Sequence, residues 1–155
     1  MKPLKSTLLS LLLLPSIAAA SSLTVIKSPT CGCCDKWIAK LPDKYHVTVE
    51  HPGNIAAIKA KLGIPAAGSS CHTAVHDSGL FFEGHIPTGL MDSYLAGKRS
   101  QNGIGLTVPK MPIGSPGMEH GGRFQAYRVY ELLSNGKAKI YAEVASKAEQ
   151  DSMME

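Results

Sequence analysis

The 155-residue chain lacks the features that decide a function by composition alone. Its formal charge is only +4, from 16 Lys and Arg against 12 Asp and Glu. Without Lys2 and Lys5, which lie at the extreme N-terminus, the balance is 14 against 12, or +2. No long basic cluster is present, so nucleic-acid binding has no electrostatic support. There is no internal repeat. Four cysteines are too few for a disulfide-built scaffold, so a core must carry the fold and the cysteines are left for function. No apolar run reaches the roughly 20 residues of a comfortable membrane helix.

The longest apolar run sits at the N-terminus. Lys2 and Lys5 precede a leucine-rich stretch, Leu8 to Leu14, and Ala18-Ala19-Ala20 offers small residues for cleavage. Residues 1–20 read as a secretory signal peptide, with an uncleaved N-terminal anchor as the rival reading. Cleavage would leave no stable membrane span and a chain in an oxidising compartment, where cysteines can pair. The remaining residues, about 135, suit one domain over 21–147. The polar tail, 148–155, is expected to fray.

The coarse pattern is β-α-β-α-β-β-α. Leu23 to Ile26 reads as a strand, Cys33 to Leu41 as a helix, and Tyr45 to Glu50 as an alternating strand. Asn54 suits the N-cap of a helix over 55–62, with Gly63 as its stop. Thr73 to His76 and Leu80 to Glu83 read as a hairpin around Asp77-Ser78-Gly79, and Thr88 as the cap of a helix through Leu95. Residues 97–122 hold seven glycines and three prolines, the composition of a long functional or disordered loop. A final hairpin turns at Asn135-Gly136, between Phe124–Tyr130 and Lys139–Val144, and should add to a sheet edge.

What the chain does have is sulfur in one place. Cys31-Gly32-Cys33-Cys34 follows a strand and opens a helix. A helix N-terminus favours negative charge, which eases thiolate formation. The thiolate is both the nucleophile of disulfide chemistry and a ligand for soft metals. Cys31 and Cys34 have the spacing of a reversible disulfide. Cys33 and Cys34 are adjacent, so on a helix they point about 100° apart. That disfavours a closed structural zinc site and suits two roles or several ions, with plain structural disulfides as the bland alternative.

Cys71-His72 precedes the third strand, whose start can lie beside the exit of the first. Cys71 could complete a thiolate cluster or pair with Cys33. His72 could ligate a metal, donate a proton to a thiol, or be a satisfied strand-end histidine. His85 ranks below it, and His46, His51, His76 and His120 read as surface residues. Trp37 reads as core. Met111 and Met118 fall in the glycine-rich segment. Thioether sulfur is a soft ligand suited to Cu(I). Packing of the loop is the plainer reading for each methionine alone, but the sulfur count tips the choice toward copper.

Five motifs in order now carry a resemblance: Lys27-Ser28-Pro29-Thr30 into the Cys31–Cys34 segment, Leu62-Gly63-Ile64-Pro65, Ser70-Cys71-His72-Thr73-Ala74-Val75, Glu83-Gly84-His85-Ile86-Pro87, and Met111-Pro112 through Ser115-Pro116-Gly117-Met118-Glu119. From about Leu23 to Val144 the chain resembles the CopG-type periplasmic copper-resistance family. The resemblance implies an α/β, thioredoxin-like mixed sheet with flanking helices, followed here by the C-terminal hairpin. It also implies copper binding in the bacterial envelope and a copper oxidoreductase role. Thioredoxin-like folds place a cis-proline before the strand facing the CxxC, and here His72 takes that place, with Pro65 as the other candidate.

The leading expectation is therefore a periplasmic copper-binding protein of copper tolerance, holding one or more Cu(I) ions. Cys31, Cys34 and Cys71 would be the main thiolates, with Cys33 a fourth ligand or a redox partner. Met111 and Met118 would add thioethers, and His72 would complete or tune the site. Its partners would be copper ions and other envelope copper-handling proteins. The alternative is a thiol-disulfide oxidoreductase acting on proteins, with Cys31 as nucleophile and Cys34 as resolver.

Overall fold

The computed structural model describes residues 21–155, so the signal segment expected over 1–20 lies outside the described residues. Seven strands form one mixed sheet in the order β2-β1-β3-β4-β5-β6-β7. The strands are β1 (Ser21–Lys27), β2 (Tyr45–Glu50), β3 (His72–His76), β4 (Phe81–Glu83), β5 (Gly103–Thr107), β6 (Tyr127–Leu133) and β7 (Ala138–Val144). The helices are α1 (Gly32–Ile38), α2 (Ile55–Lys61), α3 (Thr88–Leu95) and α4 (Lys147–Ser152), with a short 3-10 turn at Ala66–Gly68.

β1 and β2 are parallel, joined across α1, and β3 runs antiparallel to β1. The order 2-1-3-4 with a reversed third strand is a mixed α/β arrangement, as the resemblance implied. Its register decides where the site lies. Lys27 at the end of β1 is opposite His72 at the start of β3, and Thr73 is opposite Glu83 at the end of β4. Three segments with chemical side chains thus leave the sheet at one end. Among the described residues no peptide bond is cis.

Side chains alternate between the faces of a strand. Ala74 and Phe82 join the main core with Leu23, Val25, Leu106 and Val129, covered by Trp37 of α1 and by Met91 and Tyr94 of α3. Their neighbours Val75 and Phe81 face the other way, into a smaller cluster with Ile64 and Leu132. Asn54 caps α2 as expected, its side chain accepting from the Ala57 N–H at 3.0 Å.

Three local expectations are corrected. Thr88 is inside α3 and does not cap it; its hydroxyl donates to the Met154 carbonyl at 2.7 Å. The segment 97–122 is not one loop, because it contains β5, paired parallel to β4 and antiparallel to β6. The tail does not fray. Ser146 caps α4 by accepting from Glu149 N–H at 3.2 Å, and Gln150 is buried. Gln150 accepts from the Tyr127 hydroxyl at 2.8 Å and donates to the Gly114 carbonyl at 3.0 Å. The C-terminus therefore holds the loop that carries the two methionines.

Candidate metal centre

α1 starts at Gly32, directly after Cys31, and among the described residues no side chain caps its N-terminus. Cys31 and Cys34, one helical turn apart, are joined in a disulfide. Cys34 is buried in the core while Cys31 is partly exposed. Cys33 is a free thiol with its sulfur 3.5 Å from Cys31 Sγ. Cys71, the other free thiol, arrives from the start of β3. All four sulfurs lie within 4.8 Å of one another. Metal–sulfur bonds of about 2.3 Å allow ligand pairs to be at most about 4.6 Å apart. The four sulfurs thus need only small rotations to share ions once the disulfide is reduced.

Two imidazoles extend the cluster. Cys71 Sγ is 3.3 Å from His72 Nδ1 and 3.0 Å from His85 Nε2, and these three residues form a second group with ligand atoms within 4.8 Å. His85 Nδ1 lies 2.8 Å from the Pro116 carbonyl. A carbonyl only accepts, so Nδ1 carries the proton and Nε2 presents its lone pair toward the sulfur. A backbone bond that fixes the tautomer in this way is the usual support of a metal-binding histidine. His72 is buried, its ring tilted against Trp37 with centroids 4.5 Å apart, and its Nε2 has no hydrogen-bond partner among the described residues. Such an orphaned buried nitrogen is costly unless something else binds it.

Burial sets the protonation states. It pushes the Cys71 thiol up to about 12, helped by the nearby Cys33. Burial also holds His72 well below the usual imidazole range, with lesser contributions from His85, Lys59 and Lys27. His85 is lowered too, again by burial first. At neutral pH the metal-free centre therefore holds a protonated Cys71 between two neutral imidazoles.

The methionine loop is ordered and lies across α1. A Cβ at Gly117, whose φ is +86°, would come within 2.7 Å of Trp37 N and 2.8 Å of Cys33 O. Only a glycine allows this approach. The loop closes on itself through Gly114 N–H to Met118 O (3.0 Å) and Met118 N–H to Ser115 O (2.7 Å). Met118 lines a recess of about 280 Å³ together with Cys33, Lys36, Glu119, His120 and Arg123. Met111 is 46% exposed and lines a different hollow, with Pro109, Gln125 and Tyr130 but no cysteine.

Of the residues singled out in the sequence, the structure brings together Cys31, Cys33, Cys34, Cys71 and His72. It adds His85 and puts Met118 beside Cys33, while Met111 stands apart. His85 ranked below His72 because nothing in its spacing points to a site. Only the pairing of β4 with β3 brings its segment to Cys71.

Fold and site together define a mixed α/β domain with a sulfur-rich, histidine-flanked centre at one end of the sheet. Residues 68–118 match the family model described as "Protein of unknown function, DUF411". Two solved structures, "Copper resistance protein copG- Form 1" and "Copper resistance protein copG- Form 2", are each 39% identical with a TM-score of 0.71. The matches cover 81% and 80% of this chain and 98% of each solved chain. No match was found among curated proteins. At that identity and coverage, the chain belongs to the CopG family.

Proposed function

We propose that this chain is a periplasmic Cu(I)-binding protein of copper tolerance that also cycles copper between its oxidation states. The convergence of four cysteine sulfurs and two imidazoles within bonding reach carries this reading. Kinship with solved copper-resistance proteins supports the choice of metal. Copper here is cargo or substrate. In the reduced protein, Cys31, Cys33, Cys34 and Cys71 hold Cu(I) as thiolates, a donor set that favours it over harder ions. His72 and His85 offer nitrogen donors at the Cys71 side, suited to the harder Cu(II). The electron balance is simple: two thiols and two Cu(II) give one disulfide, two Cu(I) and two protons. The number of sulfurs fits more than one ion, and other envelope copper-handling proteins are the partners that would deliver or accept it. The signal peptide over residues 1–20 is part of the same proposal.

The test is a competition titration of the reduced protein with Cu(I) and Zn(II) under anaerobic conditions, with metal counted per chain. Preferential Cu(I) binding is the expected result. Preference for zinc would reject the reading.

One observation favours a second reading. The Cys31–Cys34 disulfide, with an outer Cys31 and a buried Cys34, is also how a protein thiol-disulfide oxidoreductase is built. A disulfide-reduction assay on a protein substrate separates the two. Turnover that persists in Cys33→Ser and Cys71→Ser variants would favour the oxidoreductase, since exchange needs only Cys31 and Cys34.

A further inference from the structure

Lys59 and Glu83 are both buried, and Lys59 Nζ lies 2.5 Å from Glu83 Oε1. Neither belongs to the sulfur and imidazole cluster. Burying an ion pair is a poor route to stability, because desolvation offsets most of the attraction and an apolar replacement often does as well. Its hydrogen bonds point to a different role.

Glu83 Oε1 also accepts from Ser70 N–H at 2.6 Å, and Oε2 accepts from the Thr73 hydroxyl at 2.5 Å. Lys59 Nζ donates to the Ser70 carbonyl at 2.5 Å and to Ser69 Oγ at 3.3 Å. Both backbone polar groups of the residue before Cys71 are thus bound by this one pair. So is the side chain of the second residue after it. From outside, the Ser70 hydroxyl donates to the Lys110 carbonyl, and Lys110 N–H donates to Ser69 O at 3.1 Å. Glu83 also stands two residues before His85, whose Nε2 faces the Cys71 sulfur at 3.0 Å. One carboxylate therefore ties together α2, the approach to Cys71, β3, and the end of β4 that carries His85.

We infer that Glu83 and Lys59 are positioning residues that set the Cys71 sulfur against His85 and the three helix cysteines. The copper consequence rests on the reading of Cys71 as a metal ligand given above. The geometric claim does not.

Three variants test it: Glu83→Gln, which keeps shape and removes charge; Thr73→Val, which removes one hydroxyl; and the double Lys59→Met/Glu83→Leu, which replaces the pair by apolar groups. Each is reduced, freed of metal and melted. The rate of iodoacetamide capture of Cys71 relative to Cys33 is then read by peptide mass. Cu(I) affinity is measured by competition with a coloured chelator. The double variant should fold but melt below the parent, because the Ser70 N–H, the Ser70 carbonyl and the Thr73 hydroxyl lose their partners. Its Cys71-to-Cys33 capture ratio should rise several-fold, and its Cu(I) affinity should fall by about tenfold, the usual loss when a group that orients a ligand is removed. Thr73→Val and Glu83→Gln should shift the ratio in the same direction. General loosening would speed both thiols and leave the ratio alone, so an unchanged ratio in the folded variants overturns the inference. If the double variant does not fold, Thr73→Val decides it. A raised ratio with parental copper affinity would uphold the positioning role and remove Cys71 from the copper ligands.

Discussion

His85 Nε2 faces Cys71 Sγ at 3.0 Å while the other ring nitrogen is held by the Pro116 carbonyl at 2.8 Å. One imidazole therefore joins the thiol that enters from β3 to the loop that covers α1. Replacing it should disturb both. In His85→Ala, Cu(I) affinity of the reduced protein should fall at least about tenfold. Parental affinity in a chelator competition would show that His85 only packs.

Proton linkage should narrow the stability of the reduced, metal-free protein from both sides. His72 and His85 are lowered from 6.5, chiefly by burial, so the unfolded chain binds protons there that the native state refuses. Stability then rises with pH through that window and is lost as pH falls below about 6.5. Cys71 works at the other end. Its thiol is raised from 9.0 to about 12, so its contribution is present below pH 9 and lost between 9 and 12. Urea midpoints between pH 5 and 11 should trace this dome. His85→Asn should flatten the acid limb, and an acid limb of parental slope in that variant would sink the assignment.

The two methionines should separate. Met118 shares a recess with Cys33, while Met111 is largely exposed and lines a hollow without cysteines. Leucine keeps size and apolarity but removes the thioether, and such swaps usually cost less than about 1.5 kcal/mol. Met118→Leu should weaken copper binding or change its redox cycling with the melting temperature nearly unchanged. Met111→Leu should do neither. Equal effects from both would mean that the loop rearranges on binding.

Gln150 offers a test at a distance. Gln150→Leu leaves the buried Tyr127 hydroxyl and the Gly114 carbonyl without their partner. Unsatisfied buried groups cost about 1–3 kcal/mol each. The variant should melt lower and bind copper less tightly, because Gly114 begins the turn that closes on Met118. Unchanged copper affinity in a folded, destabilised variant would mean that α4 supports the fold but not the loop's function.

The first four strands and the sulfur cluster were legible because their signals are local. Alternation marks β2, Asn54 and Gly63 bracket α2, and the cysteines at a strand-to-helix junction announce themselves. β5 was hidden by its own packing. A Cβ at Gly105 would come within 2.5 Å of the Phe81 carbonyl, and one at Gly103 within 2.5 Å of the Tyr94 hydroxyl. The close approaches that build the strand remove the side chains whose alternation would reveal it. α4 was missed for a related reason. It spans six residues, Lys147–Ser152, and its buried one is a glutamine, which reads as tail. His85 lies in a short segment with no diagnostic spacing, so its role came from β-pairing across the sheet.

The three clustered cysteines also pose a problem of choice as the chain oxidises. Four thiols allow three complete pairings. Chain distance alone does not favour the native one, since Cys33 is nearer to Cys31 than Cys34 is. The folded chain holds the Cys31–Cys34 pairing, with the Cys33 sulfur only 3.5 Å from Cys31 and still a free thiol. Cys31 is the N-cap of α1 and Cys34 lies in its first turn, so the start of the helix holds those two together. The middle thiol is kept unspent within exchange distance of the disulfide, beside the partner that β3 delivers.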